Sequence, residues 1–277
     1  MCDCAHTHDP ALEYIVSLHG EAGLLIAGFG LFVRQPSTRT AANFARFFLP
    51  CLQPGMRLLD CGCGPGTITV GLAAAVAPGE VVGIALEVAQ INLVQRQAAQ
   101  ANVYDLPLPD ASFDTVYCSA ALSHLRERDK ALRKLHCVLK PGGLIGVRND
   151  DLDGYLIAPA DPLLMQAWML FGQFVQHNGG NAWAAKNLRT WLREAGFSQV
   201  EMSAAYEYYG TPAATAAWRD SMVAILADLE LRLIEAGLTD HATVERLIAA
   251  WQAWGQHPDA FLGRSWCEAI GRVDETN

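Results

Sequence analysis

The stretch Asp60-Cys61-Gly62-Cys63-Gly64-Pro65-Gly66 follows a short apolar run, Met56 to Leu59, and precedes a further apolar segment from Thr67 to about Val76. An apolar strand that ends in a carboxylate and leads into three alternate glycines reads as the carboxyl edge of a parallel sheet. Glycines there permit a tight turn and let a ligand approach the backbone closely. The segment after the loop reads as a helix, Pro78-Gly79 as a turn, and Val81 to Ile84 as the next strand. Strand, glycine loop, helix and strand in this order predict an α/β fold with a doubly wound, mostly parallel sheet.

The alternation extends both ways. Upstream, Pro10 to Phe32 reads as helical, Pro36 breaks it, and Thr38 or Thr40 begins a second helix running to about Cys51. Downstream come a helix from Glu87 to about Gln100, a strand within Ser112 to Ser119, and a helix from Arg126 to Leu139. That helix stops at Lys140-Pro141-Gly142-Gly143, and Leu144 to Arg148 is a buried strand. Helices follow at Asp161 to His177 and Asn187 to Ala195, then a strand at Val200 to Tyr208. Two long helices, Pro212 to Ala236 and His241 to Trp254, precede a final strand near Trp266 to Val273. The expected organisation is a tail and helices over 1–52 that form part of a lid. An α/β core over 53–210 carries a helical insertion near 155–185, a helical cap spans 211–262, and the last strand and tail occupy 263–277.

Composition narrows the function. The 277 residues carry a formal net charge of -9 and no basic run, so nucleic acid is a poor partner. The longest apolar stretch, Ala22 to Val33, is too short to span a bilayer, and the amino terminus lacks the basic opening of a secretory signal. A cytosolic protein acting on a small molecule is expected, with no membrane partner. Cys2, Cys4, His6 and His8 look like metal ligands, yet a terminal tail offers them no rigid geometry, and no metal is expected.

A bare G-x-G-x-G is weak evidence, since many nucleotide folds use it. Asp60 before the loop and Pro65 within it are more selective, because a dinucleotide site uses G-x-G-x-x-G and has no need of that carboxylate. Together with Asp105-Leu106-Pro107-Leu108-Pro109-Asp110, Ser112-Phe113-Asp114 and Val138-Leu139-Lys140-Pro141-Gly142-Gly143, the loop resembles the class I S-adenosylmethionine-dependent methyltransferases. The likeness is to small-molecule members such as the ubiquinone/menaquinone-biosynthesis type, and it covers roughly residues 38 to 148. It implies a Rossmann-like sheet and S-adenosyl-L-methionine as cofactor, with S-adenosyl-L-homocysteine as product. By the same resemblance Asp60 sits beside the cofactor's ammonium, and Gly62, Cys63, Gly64 and Gly66 pack against its aminoacyl and ribose parts. Asn102 accepts from adenine, Val103 lends a backbone N–H, and Ser119, Thr40 and Asn43 are further contacts. Asn102 also reads as a plain turn residue.

Two departures stand out. Where the family places an acidic ribose ligand at the end of the second strand, this chain has Ala85. Glu87 reaches the ribose if the turn bends back, or is simply an acidic residue in a helix's first turn. The segment Gln95 to Ala101 runs directly into Asn102, so the third, edge strand is expected to be missing.

For the acceptor, side chains at the carboxyl ends of the strands are the candidates. His124 is a possible general base, its ordinary pKa being near neutral. Arg148 and Asn149 follow the fifth strand, Arg148 either steering a carboxylate-bearing acceptor or pairing with Asp150 or Asp151. His177, Asn181, Trp183, Tyr206, Tyr208 and Trp218 are expected to wall the substrate pocket, with helix-to-sheet packing the plainer reading for most of the aromatics. Methylation of oxygen, nitrogen or carbon on a small organic metabolite is the leading reading. A non-methylating cyclisation, elimination or rearrangement on the same scaffold, or a non-catalytic partner subunit, are the alternatives. An exposed sheet edge would favour a homodimer.

Overall fold

All four residues of β1 (Leu58–Cys61) are buried, as expected for a central parallel strand covered on both faces. A computed structural model of the chain describes residues 39–85, 98–100, 103–183 and 185–275. The expected helix from Pro10 to Phe32, the Cys2/Cys4/His6/His8 cluster, and the candidate contacts Glu87 and Asn102 lie outside the described residues.

Beside β1 run β2 (Val81–Ala85) and β4 (Phe113–Ser119), both parallel to it. Next to β4, also parallel, is β5 (Leu139–Asp150). The edge strand expected to be missing is present: β3 (Ala98–Gln100) pairs parallel with β2, Ala85 lying opposite Gln100. The sequence reading extended a helix through these residues because alanine and glutamine favour helices. Three rungs against β2 override that local preference.

The far half of the sheet is antiparallel. The last strand, β8 (Phe261–Arg272), begins five residues earlier than its sequence pattern suggests, because Gly263 and Arg264 interrupt the apolar run. Along one edge β8 pairs with β5 and then with β6 (Leu156–Ala158); along the other it pairs with β7 (Ser198–Tyr209). The sheet order is therefore β3-β2-β1-β4-β5-β8-β7, with β6 continuing the β5 position.

Helices cover both faces. The short α1 (Ala41–Phe44) packs on α2 (Thr67–Val76) so closely that a Cβ on Gly71 would lie 2.6 Å from the Ala41 Cβ. With Phe48, Leu58, Leu72 and Tyr117 they form one core layer. On the opposite face α3 (Arg128–Val138) and α5 (Leu188–Glu194) build a second layer around Phe113, Val116, Ile145 and Phe197.

Three further helices make a cap with its own core. These are α4 (Pro162–His177), α6 (Pro212–Glu235) and α7 (His241–Trp254). Each begins on a side-chain cap: Asp161 accepts from the Leu163 N–H, Thr211 from Ala214 and Asp240 from Thr243, each worth about 1 kcal/mol. Trp168, Trp218, Trp251 and Trp254 meet in the cap's centre, and Leu152, Tyr155 and Leu262 tie that core to the sheet.

Candidate active site

At the carboxyl end of β1 the chain turns through Gly62, Gly64 and Gly66 at φ of 84°, 52° and 82°, a region that strains any residue with a Cβ. The Gly62 and Cys63 N–H groups both donate to the Ile84 carbonyl, which pins the loop to the end of β2. A Cβ on Gly62 would press to 3.1 Å from the Ala121 Cβ and 4.0 Å from the Ser119 carbonyl, so the end of β4 closes one side. At Gly64 a Cβ would meet nothing within 4 Å, so the loop is open there. An open, glycine-built rim over a carboxylate fits the aminoacyl end of an adenosyl sulfonium.

Asp60 is 2% exposed, and its Oδ2 accepts from the Thr69 hydroxyl at 2.6 Å. Burial, only partly offset by that hydrogen bond, pushes the carboxyl up to about 6. A cationic ammonium beside it would favour the charged form. The neighbouring thiols are small buried hydrophobes: burial and the Asp60 charge push Cys63 up to about 12, and Cys61 rises well above its ordinary value against Cys118.

The other predicted contacts of this half divide. Thr40 caps α1, its N–H and hydroxyl both donating to the Asn43 Oδ1 at 2.7 and 3.0 Å, so this pair is engaged in starting a helix. Val103 packs half-buried against the core around Leu106, and Ser119 ends β4 beside Gly62.

Across the sheet's carboxyl edge the polar residues sort by strand alternation. Arg148 is not a surface residue paired with Asp150 or Asp151. It is buried, donates to Glu268 Oε1 at 2.8 Å and to the Asn43 carbonyl at 3.2 Å, and stacks against Phe44 and Trp266. Asn149 points to the opposite face of β5. There its side-chain oxygen accepts from the Ser123 N–H and hydroxyl, fixing the turn that carries His124. Burial, reinforced by Arg264 and opposed by Asp150, pushes the His124 imidazole down to about 4. It is neutral at physiological pH and a weak base. The Asn181 N–H donates to the Ser123 carbonyl at 2.7 Å, bringing that turn against His124, while Trp183 lies against Gly172 of α4 and His177 is exposed.

Alternation also separates the tyrosines. Tyr206 and Tyr208 pair with Ser265 and Gly263 on the outer face, 51% and 74% exposed, away from the remaining polar groups. Glu207 and Tyr209 face inward, opposite Arg264 and Leu262. Arg264, 2% exposed, is the hub that sequence reasoning missed. Its Nη2 donates to Asp150 at 2.7 Å, its Nε to the Tyr155 hydroxyl at 2.7 Å, and its Nη1 lies 3.9 Å from Glu207. Its guanidinium covers Trp266, while Trp218 packs on Tyr209 at 4.5 Å between ring centres. Arg39 stands over Phe44 and feels Arg264, Glu207 and Asp150. The signal available in sequence was a lone arginine inside an apolar strand, opposite an acid flanked by tyrosines.

Residues 59–147 match the methyltransferase domain family. The chain is 30% identical over 238 residues to an uncharacterized methyltransferase of Schizosaccharomyces pombe, covering 78% of this chain and 84% of that protein. The chain belongs to the class I S-adenosylmethionine-dependent methyltransferases. It is also 29% identical over 172 residues to a demethylmenaquinone methyltransferase of Staphylococcus carnosus, covering 57% of this chain and 69% of that one. A putative methyltransferase from Bacillus halodurans shares the fold at a TM-score of 0.56 and 16% identity, over 84% of this chain and 99% of that one.

This methyltransferase uses S-adenosylmethionine and acts on a small organic metabolite. Among its described residues no helix is long and apolar enough to cross a membrane. The recovered β3 removes one of the two grounds for a non-methylating enzyme; Ala85 at the end of β2 remains the other.

Proposed function

We propose that this methyltransferase grips the aminoacyl end of its cofactor between the loop Cys61 to Gly66 and the end of β4, and presents the methyl group toward the cap. What carries the reading is the union of three left-handed glycines with a buried carboxylate on one sheet edge. Ser119 and Val103 complete the cofactor side. When bound, S-adenosylmethionine supplies an electrophilic methyl carbon on a cationic sulfur. The chain's own task is then alignment and exclusion of water, with no strong acid needed because the leaving thioether is neutral.

The acceptor side lies under the cap, between the His124 turn and the inward face of β5, β7 and β8. Similarity to demethylmenaquinone methyltransferases supports an organic acceptor with a substantial apolar part. Arg148 does not steer it in this reading, being held by Glu268. Calorimetric titration with S-adenosylhomocysteine tests the cofactor half: saturable binding that weakens on Asp60→Ala is expected. Absence of binding at millimolar ligand would defeat the proposal.

A further inference from the structure

Six charged side chains gather where β5, β7 and β8 meet α1 and the cap. Arg148 pairs with Glu268, Arg264 with Asp150, and Arg39 completes the cations. The third acid is Glu207. It lies 3.9 Å from Arg264 Nη1, within ion-pair range but beyond a hydrogen bond, and its buried Oε2 has no hydrogen-bond partner in the structure. Asp150 is met by Arg264 and Tyr155, Glu268 by Arg148 and Ser203, while Glu207 has the Tyr209 hydroxyl as its neighbour and keeps Oε2 without a donor.

The cluster is not sealed, since Glu207 and Asp150 keep 18% and 15% of their side chains accessible. It also adjoins the cofactor side. Tyr117, bordering Asp60 in the sheet, and Arg148 both donate to the Phe44 carbonyl, at 2.7 and 3.5 Å. A buried acceptor oxygen without a donor is costly to leave unmade and is satisfied when a ligand brings a hydrogen.

We propose that Glu207, beside Arg264, recognises the acceptor by accepting a hydrogen bond from an uncharged hydroxyl group. The inference rests on the methyltransferase reading and names the acceptor class. Charge argues for a neutral group. The three arginines and three acids balance in formal charge, so an anionic acceptor would add uncompensated negative charge beside Glu207 and Asp150. An ammonium would meet the guanidiniums of Arg264 and Arg39. A hydroxyl satisfies the empty oxygen and leaves the balance intact.

The test uses the full chain saturated with S-adenosylhomocysteine and three aromatic probes matched in size: 4-methylphenol, 4-methylbenzoate and 4-methylbenzylammonium. Calorimetry is expected to give 4-methylphenol about tenfold tighter binding than either ion. In Glu207→Gln the phenol should lose about tenfold while 4-methylbenzoate gains, because the arginines then lack a counter-charge. Melting curves and S-adenosylhomocysteine affinity should stay put. If Glu207→Gln does not fold, Glu207→Asp, which keeps the charge and withdraws the oxygens, must still weaken the phenol. Preference for either ion in the wild type, no probe binding to the cofactor-loaded chain, or a phenol indifferent to Glu207→Gln overturns the inference. Failure to bind S-adenosylhomocysteine at all removes the methyltransferase reading, and this inference with it.

Discussion

The two halves of the site are built on opposite plans. The proposed cofactor half rests mainly on one continuous segment, Asp60 to Thr69, where backbone conformation does most of the shaping and a single buried carboxyl supplies charge. The proposed acceptor half centres on Asp150, Glu207 and Arg264, which meet because β8 lies between β5 and β7. A local plan tolerates change elsewhere in the chain. A dispersed one ties recognition to the integrity of the sheet and cap.

That contrast is broken most forcefully at Arg264. In Arg264→Met, Asp150 and Glu207 lose their shared cation inside the fold, and about 3–5 kcal/mol of stability should go with it. Chemical denaturation measures the loss; S-adenosylhomocysteine affinity of the folded fraction should be unchanged, because the loop makes none of those contacts. The reverse pattern is expected at Gly62. Gly62→Ala places a Cβ at positive φ and against Ala121, costing about 1–2 kcal/mol and weakening S-adenosylhomocysteine by about tenfold or more. Equal damage to both readouts in either variant would mean the halves are not separable.

Asp60 and His124 sharpen the comparison through pH. Asp60 titrates at about 6 in the fold, above its ordinary value of 3.8, so folding binds its proton more tightly and this stability is lost as pH rises through 6. His124 titrates at about 4, below its ordinary 6.5, so its contribution is present above 6.5 and lost as pH falls toward 4. The slopes oppose each other and largely cancel between pH 4 and 6. Asp60→Asn keeps an acceptor for Thr69 and removes the buried charge. At pH 7 it should raise stability by about 1–3 kcal/mol while weakening the cofactor, and its melting temperature should then fall steadily on acidification below 6.5. A flat profile in that variant would mean that His124 is not held neutral by burial.

What the sequence made legible follows the same division. The glycine loop, α2 and strands β1, β2 and β4 are written in local order and spacing, and the structure has them at the expected places. Local propensity misled at Ala98 to Gln100, where pairing with β2 decides the conformation. The partner of Arg148 was equally hidden, since Glu268 is 120 residues away and becomes a neighbour only through antiparallel β5·β8 register. Arg264 escaped notice for the same reason: nothing near it in the chain reports that Asp150 and Tyr155 stand within hydrogen-bond reach.

The smallest expected effect concerns the tyrosines of β7. A strand shows alternate faces, so the sequence pattern allowed one set of tyrosines inward and the register decided which. Tyr208 is opposite Gly263 on the outer face, with no hydrogen bond from its hydroxyl among those the structure shows, whereas Tyr209 packs on Trp218 inside. Tyr208→Ala should therefore change stability by no more than about 0.5 kcal/mol and leave binding of both S-adenosylhomocysteine and 4-methylphenol intact. Tyr209→Ala removes a ring from the cap's edge and should cost about 2–4 kcal/mol by denaturation. A Tyr208 variant that lost the phenol while Tyr209→Ala kept it would put the acceptor on the outer face of the sheet, and the inward cluster around Glu207 would then be structural only.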